Sequence, residues 1–170
     1  MFTRLIESLS ATEALSQVFS DEVVLQCMLD FEAALARAEA RAGLIPPEAA
    51  DAITRAAVAE GFDIAELVRQ AGRAGTPAIP LVRMLTERVR AQNAAAAGFV
   101  HWGATSQDVT DTAMVLLLNR CRQVLTLRKI YGLSQKQIAA QLGIAEHTVE
   151  AQVGNGMRGC AKFLARHGLP

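Results

Sequence analysis

Lysine is missing from the first 120 residues; the first is Lys129. Aromatic residues make up only 5% of the chain, with one tryptophan and one tyrosine. Alanine is abundant in their place, which points to closely packed helices rather than β-structure. Three cysteines, Cys27, Cys121 and Cys160, are odd in number and widely spaced. Without a CxxC pair or a Cys/His cluster, neither a disulfide framework nor a zinc site is supported. The longest apolar run, Ala113–Leu118, is far short of the ~18 residues that span a bilayer. Met1–Ser8 carries acidic and polar breaks where a signal peptide needs an apolar stretch. The expectation is a cytoplasmic, reduced, soluble protein with no membrane association, no metal and no cofactor.

What is present divides the chain in two. The 170 residues sum to zero net charge, but the halves do not. Residues 1–120 hold ten arginines and fifteen Asp and Glu, a net of −5. Residues 121–170 hold seven Lys and Arg against Glu146 and Glu150, a net of +5. Such a split implies different partners, with an anionic one for the basic end. The length fits one domain, or one small domain plus a fragment.

Helical signals follow one another along the first half. Thr12 or Ser16 is placed to cap an early helix. Over Asp21–Ala42, Val24, Met28, Phe31, Leu35 and Ala38 recur at three and four residues, one face of a helix. Gly43 stops it and Pro46-Pro47 open the next segment, Glu48–Ala59. Gly61 precedes a short helix over Asp63–Gln70. Ala74–Pro80, with two prolines, reads as a loop, and on its residues alone as a plain connector. Leu81–Ala97 is helical again, with Leu81, Met84, Leu85 and Val89 on one face.

The segment Phe99–Ala113 reads FVHWGATSQDVTDTA. Gly103 allows a left-handed backbone. Thr105, Ser106, Gln107 and Asp108 then present hydroxyl, amide and carboxylate groups at the start of an apolar helix. Hydroxyls and free N–H groups at a helix N-terminus can cradle a carboxylate. The alternative is an ordinary Ser/Thr cap, with His101 a satisfied core histidine. The motif is similar to the first signature region of the fumarase/aspartase superfamily, in its adenylosuccinate lyase and 3-carboxy-cis,cis-muconate cycloisomerase branch. The MLDFEAALARAE helix (28–39) and the GTPAIPLV loop (75–82) resemble the cycloisomerases in particular, and together the likeness covers about residues 10–118. It implies that Thr105 and Ser106 contact a substrate carboxylate, and that His101, Gln107 and the Thr76-Pro77 loop line the pocket. That family builds its sites from three separated regions of a homotetramer. The later histidine and the serine-bearing mobile loop have no counterpart here. General acid–base chemistry needs a base within hydrogen-bond reach, so this half reads as an incomplete catalytic site.

The second half has a different pattern. Val124, Leu127 and Ile130 or Tyr131 share a face of a helix over Arg120–Tyr131, which Gly132 ends. Ser134 and Gln137 have capping-box spacing. Gln135–Leu142 is a helix with Ile138, Ala139 and Leu142 toward a core, Gly143 turns the chain, and Ile144 re-enters. A second helix starts near Glu146 with Val149 and Val153 inward. This is helix-turn-helix spacing; two packed helices of an all-α domain is the plainer reading. Residues 120–168 resemble region 4 of sigma-70 family factors, extracytoplasmic-function type. By that resemblance Glu146, His147, Glu150 and Ala151 face base edges in a major groove, where Glu can accept from cytosine N4. Lys136, Arg158 and Lys162 would hold phosphates. Ala145 removes a cap (~1 kcal/mol), and Gly154, Gly156 and Gly159 weaken the helix by ~1 kcal/mol each relative to alanine. No segment resembles sigma region 2.

The fold expected is all-α: a truncated fumarase/aspartase-like helical domain over 1–118 joined to a region 4-like helix-turn-helix over 119–170. The join falls at Asn119–Cys121, inside one helix, because no Gly, Pro or Ser run intervenes. Three readings of function follow. The chain is a duplex-DNA reader of promoter −35 type, with RNA polymerase as a further partner; or a truncated, inactive cycloisomerase-type lyase; or a fusion without joint function. The apolar helix at Met114–Leu118 is expected to support a homo-oligomer or an internal interface.

Overall fold

The computed structural model describes residues 20–166. Among these there are helices and turns and no strand, an all-α fold. The elements are α1 (Asp21–Arg41), α2 (Pro47–Ala56), α3 (Ile64–Ala74), α4 (Ala78–Gln92), a 3₁₀ turn (Ala96–Phe99), α5 (Ser106–Lys129), α6 (Gln135–Leu142) and α7 (Glu146–Arg166). They form two compact units, Asp21–Leu116 and the described residues from Leu117 onward. The division falls within α5, which is unbroken. The capping roles of Thr12 and Ser16 lie outside the described residues.

In the first unit α1 packs on α2, α2 packs on α4 and the 3₁₀ turn, and α3 packs on α4. Leu25, Met28, Leu29, Ile53, Leu81, Leu85 and Val89 are fully buried. Burying each such side chain stabilises by ~1.5–3 kcal/mol. Ala49, Ala50, Ala52 and Ala56 bring α2 close to its neighbours. Gln26 ties α1 to the end of α2, accepting from the Ala59 N–H at 2.8 Å and donating to the Ala57 carbonyl at 3.3 Å. Arg88 reaches back from α4, donating to the Val58 carbonyl at 2.9 Å with its guanidinium over the Phe62 ring.

Three expectations are corrected here. The buried face of α1 carries Leu25, Met28, Leu29, Glu32, Ala36 and Glu39, whereas Val24, Phe31 and Leu35 are only half-buried and Ala38 is exposed. Two carboxylates sit where the apolar pattern was read one step away. Helix α4 begins at Ala78 rather than Leu81, since proline is tolerated in a first turn that has no N–H to lose. It ends at Gln92, because the Asn93 side chain accepts from the Ala95 and Ala96 N–H groups and turns the chain.

In the second unit Val124, Ile138, Ala139 and Val149 form the core, with Leu127, Leu133, Leu142, Ile144 and Val153 packed against it. The Ser134/Gln137 capping box is complete, and Gly143 adopts φ 64° to close α6. Ile130 and Tyr131 are not part of the core; they are 76% and 69% exposed. Helix α5 has already ended at Lys129, and the chain passes through Gly132 at φ 69° so that the Leu133 N–H reaches the Leu127 carbonyl. No described helix is long and apolar enough to cross a membrane.

Candidate functional site

The signature segment of the first unit is built on a strained turn. His101 has φ 59°, the sole left-handed non-glycine among the described residues, and Gly103 follows at φ 69°. Such strain persists only where surrounding contacts impose it. The contact here is with α1: His101 Nδ1 lies 2.7 Å from Glu32 Oε1, with the Glu32 side chain wholly buried and the His101 side chain 15% exposed. Glu39, seven residues along the same face, is also buried. The second carboxylate oxygens of Glu32 and Glu39 have no hydrogen-bond partner among the described residues.

Charge follows from this burial. The hydrogen bond to Glu32 holds the His101 pKa above the usual histidine value; burial opposes it, and the charges of Glu32, Asp108 and Glu39 add to it. Burial raises the Glu39 carboxyl, the charge of Glu32 raises it further, and His101 lowers it. Asp108 is held below the usual range by the Thr105 hydroxyl and backbone N–H, at 2.7 and 2.8 Å.

The other polar groups of the expected cradle are engaged by their own helices. Thr105 exchanges bonds with Asp108 in a reciprocal cap. Gln107 donates to Asp111 at 2.6 Å, and the half-buried Ser106 accepts from the Thr110 hydroxyl through its carbonyl. Thr76 accepts from the Ala78 N–H at the start of α4. The geometry thus brings His101 to Glu32, with the Glu39 and Asp108 charges acting on the ring, and gives Thr76 and Thr105 local capping bonds and Gln107 a side-chain bond one turn along its own helix. Glu32 and Glu39 escaped the sequence reading. Their signal was there: two carboxylates seven apart on an otherwise apolar helix face.

In the second unit, Glu146, His147 and Glu150 are exposed on the first two turns of α7, and Lys136 is exposed at the start of α6. None of the four makes a hydrogen bond or ion pair among the described residues. Ala151 was expected to face outward with them, but it is half-buried. Arg158 is exposed; Lys162 lies in α7, with its side chain outside the description.

Residues 108–160 match the family model of sigma-70, region 4. The 3-carboxy-cis,cis-muconate cycloisomerase of Bradyrhizobium diazoefficiens is 52% identical over 114 residues, covering 67% of this chain and 25% of the relative. The chain resembles two families. The cycloisomerase of Pseudomonas aeruginosa is 46% identical over 159 residues, covering 88% of this chain and 35% of the relative. The crystal structure of the Pseudomonas putida 3-carboxy-cis,cis-muconate lactonizing enzyme superposes with a TM-score of 0.65 at 44% identity, over 72% of this chain and 28% of that one. The chain therefore spans a quarter to about a third of the length of these lyase-type relatives. The lyase-like and region 4-like stretches overlap. The region 4 match starts at Asp108, inside the signature segment, and a match covering 88% of the chain passes Leu118 wherever it begins. Helix α5 from Asp108 onward and helix α6 lie within both likenesses.

Proposed function

We propose that the chain binds duplex DNA through the region 4-like unit, as a reader of promoter −35 type. The supporting observation is the formed helix-turn-helix whose second helix presents Glu146, His147 and Glu150 without side-chain partners among the described residues. Ile138, Ala139 and Val149 share one buried core between the two helices, which supports a reading in which α7 is held rigidly for a major groove. Lys136, Arg158 and Lys162 would supply phosphate contacts, the affinity common to all sequences. RNA polymerase is the second partner of this reading, and the exposed Met114, Val115 and Leu118 support association of the chain with itself. The domain boundary belongs to the same proposal, with the join at Asn119–Cys121.

The test is fluorescence anisotropy with −35-like duplexes at rising salt. Three phosphate contacts give a slope of log Kobs against log[salt] of roughly −3, and Lys136→Ala makes it shallower by about one. A salt-independent signal, or none at low ionic strength, removes the reading.

The 52% identity to a cycloisomerase supports a second reading, in which the first unit contributes part of a lyase-type site. His101, Thr105, Ser106, Gln107 and Thr76 would then line a carboxylate-binding pocket. Loss of absorbance from 3-carboxy-cis,cis-muconate with concentrated folded protein is the measurement; an unchanged trace counts against catalysis by this chain alone.

A further inference from the structure

The exposed side chains of α7 carry a definite base chemistry. Its first two turns, residues 146–152, hold no arginine, lysine or asparagine, and their one amide, Gln152, is 5% exposed and packed inward. Guanine is read by Arg or Lys at O6 and N7, and adenine by Asn or Gln at N6 and N7. Neither purine reader is available on this face. Two carboxylates are, and both are exposed and without internal hydrogen bonds or ion pairs among the described residues. A carboxylate only accepts. In the major groove, cytosine offers the N4 donor with only a C5–H beside it on the same base, whereas adenine sets N7 beside its donor and would repel the second oxygen.

We infer, building on the DNA-binding reading above, that Glu146 and Glu150 specify two cytosines on one strand of the bound duplex. Their separation sets the spacing. Four residues of helix rise ~6 Å, and successive bases on a strand are ~3.4 Å apart, so the cytosines lie about two base pairs from one another. His147 sits between the carboxylates on the same exposed turn. The same two charges repel the phosphates of any duplex that fails to supply N4 donors, so discrimination comes as much from rejection as from attraction. The expected ligand is a short G·C-containing half-site, bound weakly in mixed sequence and much better in the cognate one.

Selection of the full-length chain against a duplex library with eight randomised base pairs tests this, at low salt, with retained duplexes sequenced. The expected pool has cytosine enriched at two positions about two base pairs apart. Glu150→Gln replaces an acceptor with an acceptor–donor pair suited to adenine. It should move the preference at one of those positions from cytosine to adenine by about tenfold, and Glu146→Gln should move the other. Both residues are exposed, so neither change disturbs the core; circular dichroism verifies that the helices remain. A salt-sensitive pool without the cytosine pair, or Gln variants that select the wild-type pool, overturns the inference and leaves DNA binding standing. If no duplex is retained at low salt, the inference and the reading beneath it both fall.

Discussion

In the unit Asp21–Leu116 the informative carboxylates are interior. Glu32 is wholly buried against His101, Glu39 lies on the same face, and Thr105, Gln107 and Thr76 are occupied by their own helix starts. In the unit from Leu117 onward the informative carboxylates are outside, and the Glu146 and Glu150 side chains engage nothing among the described residues. A buried, paired carboxylate is held for one geometry and shifts the proton affinity of its histidine partner; an exposed, unpaired one is held ready for an external donor. The lyase-like unit therefore invites tests by pH and stability, and the region 4-like unit invites tests by binding.

The largest effect expected separates the two by their cores. Ile138 is wholly buried at the centre of the smaller cluster. Ile138→Ala should destabilise that unit by ~2–5 kcal/mol, as read by denaturant unfolding, and should abolish salt-dependent DNA binding because the reading helix loses its seat. DNA affinity retained under conditions where the variant's second unit is unfolded would show that α7 is not what touches the duplex.

A smaller effect follows from the buried pair. Breaking a hydrogen bond to a charged group costs ~1.5–3 kcal/mol, the loss expected for Glu32→Ala in the first unit. The sign of the pH dependence is fixed by the shifts. His101 binds its proton more tightly folded than unfolded, so its contribution is complete below its ordinary value of 6.5 and is lost as pH rises through the higher folded value. Glu39 is also raised, so its contribution is complete below 4.5 and likewise disappears on raising pH. Asp108 is lowered and acts oppositely, its contribution disappearing as pH falls through a value below 3.8. Thermal unfolding should therefore show the first unit weakening as pH rises above 6.5. His101→Asn should flatten that upper phase, and Glu39→Gln the lower one. A wild-type midpoint that rises between pH 6 and 8 contradicts the assignment.

The same inside–outside contrast explains what could be read from the residues in advance. The helix-turn-helix was legible almost to the residue because its signals are local: Ser134 and Gln137 three apart, Gly143 at the turn, Ile138 and Val149 at fixed spacing. The lyase-like motif was legible as a string, but the Glu32–His101 bond joins residues 69 apart, and no local rule brings them together. Ala78 as the start of α4 was missed because two prolines read as a loop, although Pro80 sits in a first turn that tolerates it. Ile130 and Tyr131 were assigned inward by periodicity, which cannot see that the helix has ended.

The smallest effect concerns two glycines that sequence alone treats as equal. Gly154 and Gly156 both lie in α7, each expected to weaken it by ~1 kcal/mol relative to alanine. Their surroundings differ. A Cβ on Gly154 would meet only the Arg158 guanidinium at 3.6 Å, an ordinary contact. A Cβ on Gly156 would stand 2.2–2.7 Å from the Leu125 side chain, so that leucine would have to move. Gly154→Ala should therefore stabilise the second unit by up to ~1 kcal/mol. Gly156→Ala sets the same propensity gain against overpacking that typically costs ~1–3 kcal/mol, and should be neutral to destabilising. Leu125→Ala removes the obstruction, so in that background Gly156→Ala should recover the gain seen at Gly154. If the two glycine variants stabilise equally in the wild-type background, α7 does not approach α5 as closely as Gly156 permits, and the glycine is a weak point in the helix rather than the place where it packs.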